Sequence, residues 1–193
     1  MKFPLKTITT SAVMIALLAI SWLSCNKDNT PQSTTVIKCV SCANGGLCLN
    51  DTCRCPAGFE GLTCQTLSFQ KFMGTWTVTE KGSATGAASS YNIEIEENIN
   101  SVTTVSITEL DNPYYPSSFN AIIANINADS IFIPSQVIGS AYIVGKGFFK
   151  ASTTTGLSSK ITMKYQLRDT ITGITNDFGY NNSADSPSVW SQE

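Results

Sequence analysis

The 193-residue sequence contains no histidine. That absence removes the Ser-His-Asp and Cys-His arrangements of nucleophilic catalysis, along with the commonest metal ligand. Charge is scarce too, at 13% of residues, and Arg168 is the only arginine after residue 68. No helical period is sustained in that part of the chain. After the N-terminal apolar run, no second stretch reaches the ~18 residues of a spanning helix. No nucleophile–base constellation stands out, so an enzyme is not expected.

What the sequence does have is cysteine, concentrated in one place. Six of the seven cysteines fall between Cys39 and Cys64. That segment holds only five large aliphatic or aromatic residues, Val40, Leu47, Leu49, Phe59 and Leu62. So small a segment cannot bury enough apolar surface to offset its chain entropy, and covalent links must hold it. Three disulfides would each contribute about 2–4 kcal/mol, chiefly by restricting the unfolded chain. Spacing alone leaves about 15 connectivities open. The gaps run x2, x5, x4, x1 and x8, and the second half reads Cys53-Arg54-Cys55-Pro56-Ala57-Gly58-Phe59-Glu60-Gly61-Leu62-Thr63-Cys64. This stretch, with Asn44-Gly45-Gly46 before the third cysteine, resembles the epidermal-growth-factor-like (EGF-like) module. The resemblance implies the bridges Cys39–Cys48, Cys42–Cys53 and Cys55–Cys64, with Gly58 and Gly61 at the tight turns of the last loop. The short gap between Cys48 and Cys53 implies a stunted central ribbon. The rival is a zinc site drawn from Cys42, Cys53 and Cys55; the missing histidine and a secretory context favour oxidation instead. Calcium-binding members of the family carry acidic and amide residues just before the first cysteine. Here Val36-Ile37-Lys38 stands in that place, so neither calcium nor any other cofactor is expected.

At the N-terminus Lys2 and Lys6 precede an uncharged run from Ile8 to Leu23, the layout of a secretory signal over residues 1–24. It ends in Trp22-Leu23-Ser24-Cys25, which resembles the lipobox of bacterial lipoproteins. The resemblance implies that Cys25 carries the lipid (diacylglyceryl plus an amide-linked chain such as palmitate), which also accounts for the odd cysteine. Asn26-Lys27-Asp28-Asn29 just after Cys25 resembles the surface-export tags of one lineage of Gram-negative bacteria, which implies anchoring to the cell outer membrane, facing outward. Residues 25–38 contain Pro31 and serine/threonine clusters and read as a flexible tether. Removing residues 1–24 takes two of the 12 bases and none of the 14 acids, leaving a net of −4. A mildly acidic chain with scattered lysines does not fit a nucleic-acid binder.

From Ser68 the pattern becomes strand-like. Apolar runs recur at Phe72–Glu80, Tyr91–Glu97, Val102–Leu110, Phe119–Ile126, Ser130–Ile133, Ala141–Phe149, Lys160–Arg168 and Ile174–Tyr180, with small or polar residues between them. In Lys160–Arg168, Ile161, Met163, Tyr165 and Leu167 share one face, and Lys160, Thr162, Lys164, Gln166 and Arg168 the other. Asn127-Ala128-Asp129 reads as a hairpin turn. A β-domain over residues 68–181 is therefore expected, followed by a loose tail over 182–193 in which Trp190 is the residue able to dock. Gly74-Thr75-Trp76 resembles the G-x-W motif that opens lipocalin-like (calycin) barrels. The resemblance implies an antiparallel up-and-down barrel of about eight strands, closed by Ile174–Tyr180, with Trp76 plugging one end under an arginine. Arg168 is the only candidate for that arginine, although its alternation points it outward. A β-sandwich is the alternative.

The chemistry expected of this mainly β chain is recognition. Glu94 and Glu96 share a strand face about 7 Å apart, which would suit the paired carboxylates of glycoside hydrolysis, but a solvated edge that discourages sheet pairing is the reading preferred. Phe132, Tyr142, Phe148 and Phe149 are candidates to line a cavity, with core packing as the default. The first reading is a lipid-anchored binding or adhesion module for a protein or glycan partner. The alternative is a carrier holding a small apolar ligand in the barrel.

Overall fold

Only four residues separate Cys48 from Cys53, and they make a hairpin of minimal length. Strand β1 (Leu47–Leu49) pairs with β2 (Thr52–Arg54). The turn is Asn50-Asp51, with φ of +50° and +59°. Two positive φ values match the twist of the flanking strands, and Asn and Asp tolerate that region. The computed structural model describes residues 39, 41–85, 87–110, 121–182 and 186–192. Cys25, the signal segment 1–24, the tether 25–38 and Phe119 lie outside the described residues.

Cys48 and Cys53 face each other across the hairpin yet bond elsewhere. The bridges are Cys39–Cys48, Cys42–Cys53 and Cys55–Cys64, the pairing that the resemblance to the EGF-like module implied. Gly58 and Gly61 turn the last loop with φ of +88° and +92°. A two-residue ladder, β3 (Phe59–Glu60) with β4 (Thr66–Leu67), completes the module three residues beyond Cys64.

A 3-10 turn (Gln70–Phe72) leads into β5 (Gly74–Glu80). Then follow β6 (Ser89–Glu97), β7 (Thr104–Thr108), β8 (Ile122–Asn127), β9 (Ser130–Ile138), β10 (Ala141–Lys150), β11 (Lys160–Asp169), β12 (Thr175–Phe178) and β13 (Ser188–Gln192). Strands β5 to β11 pair in sequence order, all antiparallel, and β13 joins β11 back to β5. The result is a closed eight-strand antiparallel barrel, which excludes the sandwich. Alternation sends one side of each barrel strand inward, with a break in β9 where Pro134 and Ser135 are both exposed. On β5, Trp76, Val78 and Glu80 are buried while Thr75, Thr77 and Thr79 lie on the outer wall.

Two expectations need correction. Ile174–Tyr180 does not close the barrel, because β12 pairs with Gln166–Arg168 of β11 and not with β5. The seam is made by β13, inside the segment expected to be loose. Trp190 of β13 sits opposite Ile161 on one side and Val78 on the other. Strand β11 is ten residues long, so its one edge holds β13 along the first part and β12 along the last.

Strand β9 also runs past Ile133, where Pro134 removes a ladder donor. Its direct pairing with β8 stops at Phe132 opposite Asn125. The Gln136 side chain substitutes, accepting from the Ile123 N–H at 3.2 Å and donating to the Ile123 carbonyl at 2.8 Å.

The module is docked on one end of the barrel. Lys71 Nζ contacts Glu60 of β3 at 2.8 Å and Asp129 of the β8–β9 turn at 2.6 Å. The Ser68 N–H donates to the Gly58 carbonyl at 2.9 Å. A Cβ on Gly58 would stand 2.7 Å from the Val102 carbonyl oxygen, so the module's last loop and the chain before β7 are in direct contact. No helix among the described residues is long and apolar enough to cross a membrane.

Candidate functional site

The lumen comes first, because a barrel of eight strands is just wide enough for side chains to fill. Trp76, Trp190, Tyr165, Phe72 and Phe178 are all fully buried, with isoleucines between them. Toward the module end the Trp76 indole N–H donates to the Phe72 carbonyl at 2.8 Å. Its ring meets Phe149 edge-on at 6.3 Å between centroids, and Phe72 lies 5.4 Å from the same ring. Gly74, which starts β5, has φ of +101°, a conformation costly for any residue with a side chain.

The cation beside this cluster is not Arg168. Arg168 is exposed on the outer wall, opposite Tyr142 of β10. Lys71 takes the place instead, with Nζ 5.9 Å from the centre of the Phe149 ring. Burial pulls the Lys71 pKa down, but hydrogen bonds to Asp129 and Glu60 more than offset this and leave it raised.

The other end of the lumen is polar. The Glu80 carboxyl accepts from Tyr91 at 2.8 Å, from Tyr165 at 2.6 Å and from Ser188 at 2.7 Å. Trp190 donates in turn to Ser188 at 2.8 Å, and Tyr165 stacks on Phe178 with centroids 4.4 Å apart. Burial first, then neighbouring Tyr91 and Glu80, push the Tyr165 hydroxyl well above the ordinary tyrosine value. These partners hold one another in place at that end of the lumen.

The outer wall of β9, β10 and β11 differs. Phe132, Lys146 and Lys164 form one cross-strand row, and Ser130, Phe148 and Thr162 the next. Phe132 is 41% exposed and Phe148 57%, both unusual for phenylalanine on a strand. Together these six residues and Gly147 line a shallow cleft of about 460 Å³. Gly147 itself belongs to the inner face, where a Cβ would collide with the Met163 sulfur at 2.6 Å. A second cleft of about 260 Å³ follows along the same strands, bounded by Lys150, Lys160 and Leu157 of the β10–β11 loop.

Of the four aromatics considered for a cavity, only Phe149 lies in the core. Phe132 and Phe148 face outward, and Tyr142 is half-buried opposite Arg168. Glu94 and Glu96 stand on the outer wall of β6, where Glu94 accepts from the Thr75 hydroxyl at 2.8 Å. The sulfurs of Cys39, Cys42 and Cys53 lie within 4.8 Å of one another. All three are already engaged in disulfides.

Sequence reasoning set Lys160, Thr162 and Lys164 on one outward face but missed what pairs with them. The signal was present in Lys146-Gly147-Phe148-Phe149-Lys150. Alternation there puts Lys146, Phe148 and Lys150 on one face and Phe149 on the other. No family model matches the chain, and neither does any curated protein.

Proposed function

We propose that this chain is a lipid-anchored, non-catalytic binding module of the bacterial cell surface, holding its partner on the outer wall of the barrel. One observation carries the reading: the lumen is filled by Trp76, Trp190, Tyr165 and Phe72, while Phe132 and Phe148 are left exposed on the wall. A carrier needs an apolar cavity of about 300 Å³ or more, and four large side chains buried in the lumen leave less room for one. The EGF-like segment then serves as a rigid spacer between the tether and a calycin-like barrel. Three bridges use six cysteines, and Cys25 remains the seventh, at the end of a signal-like apolar run. Three acyl chains on it give durable anchorage where one would not.

Native mass spectrometry of the full-length protein from its own host, with palmitate labelling, tests both halves. The expected result is a label lost in Cys25→Ser, and a partner adduct lost in Phe132→Ala/Phe148→Ala. A small apolar adduct that survives the double substitution would return the carrier. Retention of label by Cys25→Ser would remove the anchor.

A further inference from the structure

Between Asp129 and Asp169 the chain has five bases, Lys146, Lys150, Lys160, Lys164 and Arg168, and no acid. Pairing of β10 with β11 sets Lys146 directly opposite Lys164 and Lys150 directly opposite Lys160. Like charges at such positions, with Cβ atoms about 5 Å apart, destabilise a sheet. Among the described residues none of these four lysines is paired with a carboxylate, for the ion pairs are those of Lys71. Lysine on a strand often guards a free edge against unwanted pairing. That purpose is missing here, because β10 and β11 both have neighbours on each side. A fold carrying net negative charge has thus gathered unneutralised positive charge onto one stretch of wall.

The aromatic rings give the stretch a second character. Phe148 lies between Lys146 and Lys150 on β10, so lysine, ring and lysine follow at steps of ~7 Å. Phe132 flanks Lys146 from β9. The two clefts continue one another along β10 and β11, the first holding the pair Lys146/Lys164 and the second Lys150/Lys160. Such a track suits an extended partner that repeats both a flat, weakly polar face and an anionic group. A bilayer fits less well, since both rings sit in cleft walls among lysines and hydroxyls and form no protruding apolar tip.

Resting on the outer-wall reading above, we propose that this track binds an acidic polysaccharide. Sugar rings stack on Phe132 and Phe148, and carboxylate or sulfate groups bridge the lysine pairs.

The test is titration calorimetry of full-length protein in detergent against polygalacturonate, dextran sulfate and neutral dextran. Phosphatidylglycerol vesicles and oligothymidylate serve as the other polyanions. The expected outcome is binding to at least one acidic polysaccharide and none to neutral dextran. Affinity should fall about tenfold or more in Phe148→Ala. It should fall further, with a shallower salt dependence, in Lys146→Gln/Lys164→Gln. These side chains are at the surface, so circular dichroism should be unchanged. Equal affinity in Phe148→Ala would mean plain ion exchange and overturn the proposal, as would preference for vesicles or oligothymidylate. No affinity for either polysaccharide, with the Phe148-dependent adduct still present, would discard the acidic glycan and keep the wall as binding surface.

Discussion

At the scale of single residues, the lumen is most sensitive where it is most polar. Tyr165 is fully buried and donates at 2.6 Å to Glu80. Tyr165→Phe keeps the ring and its stack on Phe178 while removing one donor from a buried acceptor, so it should cost about 1–3 kcal/mol at pH 7. Because the folded-state pKa of Tyr165 is raised, its proton is held in the fold and released first by the unfolded chain, above pH ~10. Its contribution is therefore complete below that value and declines as pH rises. Urea unfolding of wild type and Tyr165→Phe should show a stability gap that narrows above pH ~10, and a constant gap up to pH 11 would refute the assignment. Part of this was legible beforehand: Glu80 lies two and four residues from Val78 and Trp76, so alternation alone places it inward. What surrounds it was not legible, because Tyr165 and Ser188 arrive from 85 and 108 residues away.

At the scale of elements, the strands with strong alternation were readable and the seam was not. Strand β11 shows a clean period of two over ten residues. The closing strand β13 is five residues with two apolar members, Val189 and Trp190, and by pattern is indistinguishable from a polar tail. It needs little of its own because β5 and β11 each supply a ladder and a buried face. Truncation before Ser188 removes Trp190 from the core and bares the edges of β5 and β11 together. Loss of a buried tryptophan alone costs about 3–5 kcal/mol, a large share of a domain's stability. The truncated protein should thus lose its cooperative urea transition and aggregate. A transition unchanged in midpoint and slope would show that β12 suffices for closure. The binding stretch was half legible in the same way: alternation gives the outward lysines of β11, but only the register with β10 reveals them as opposed pairs.

At the scale of the whole molecule, the cysteine-rich module and the barrel belong to one compact unit, Lys38–Glu193. Gly58 packs under Val102, and Lys71 ties Glu60 to Asp129. A partly exposed ion pair is worth little alone, about 0.2–1 kcal/mol, so close packing at Gly58 should carry the docking. Nitrogen-15 relaxation should give one correlation time for both parts in the wild type and a shorter one for the module in Gly58→Ala. Separate values in the wild type would mean an independently tumbling module. The seam also sets an order of events. Glu80 and Ser188 are 108 residues apart, so the barrel cannot close until β13, its last strand in chain order, is available. Until then β5 has β6 on one side and a bare edge on the other. Closure is therefore a non-local step, the last pairing of the barrel to become possible in chain order.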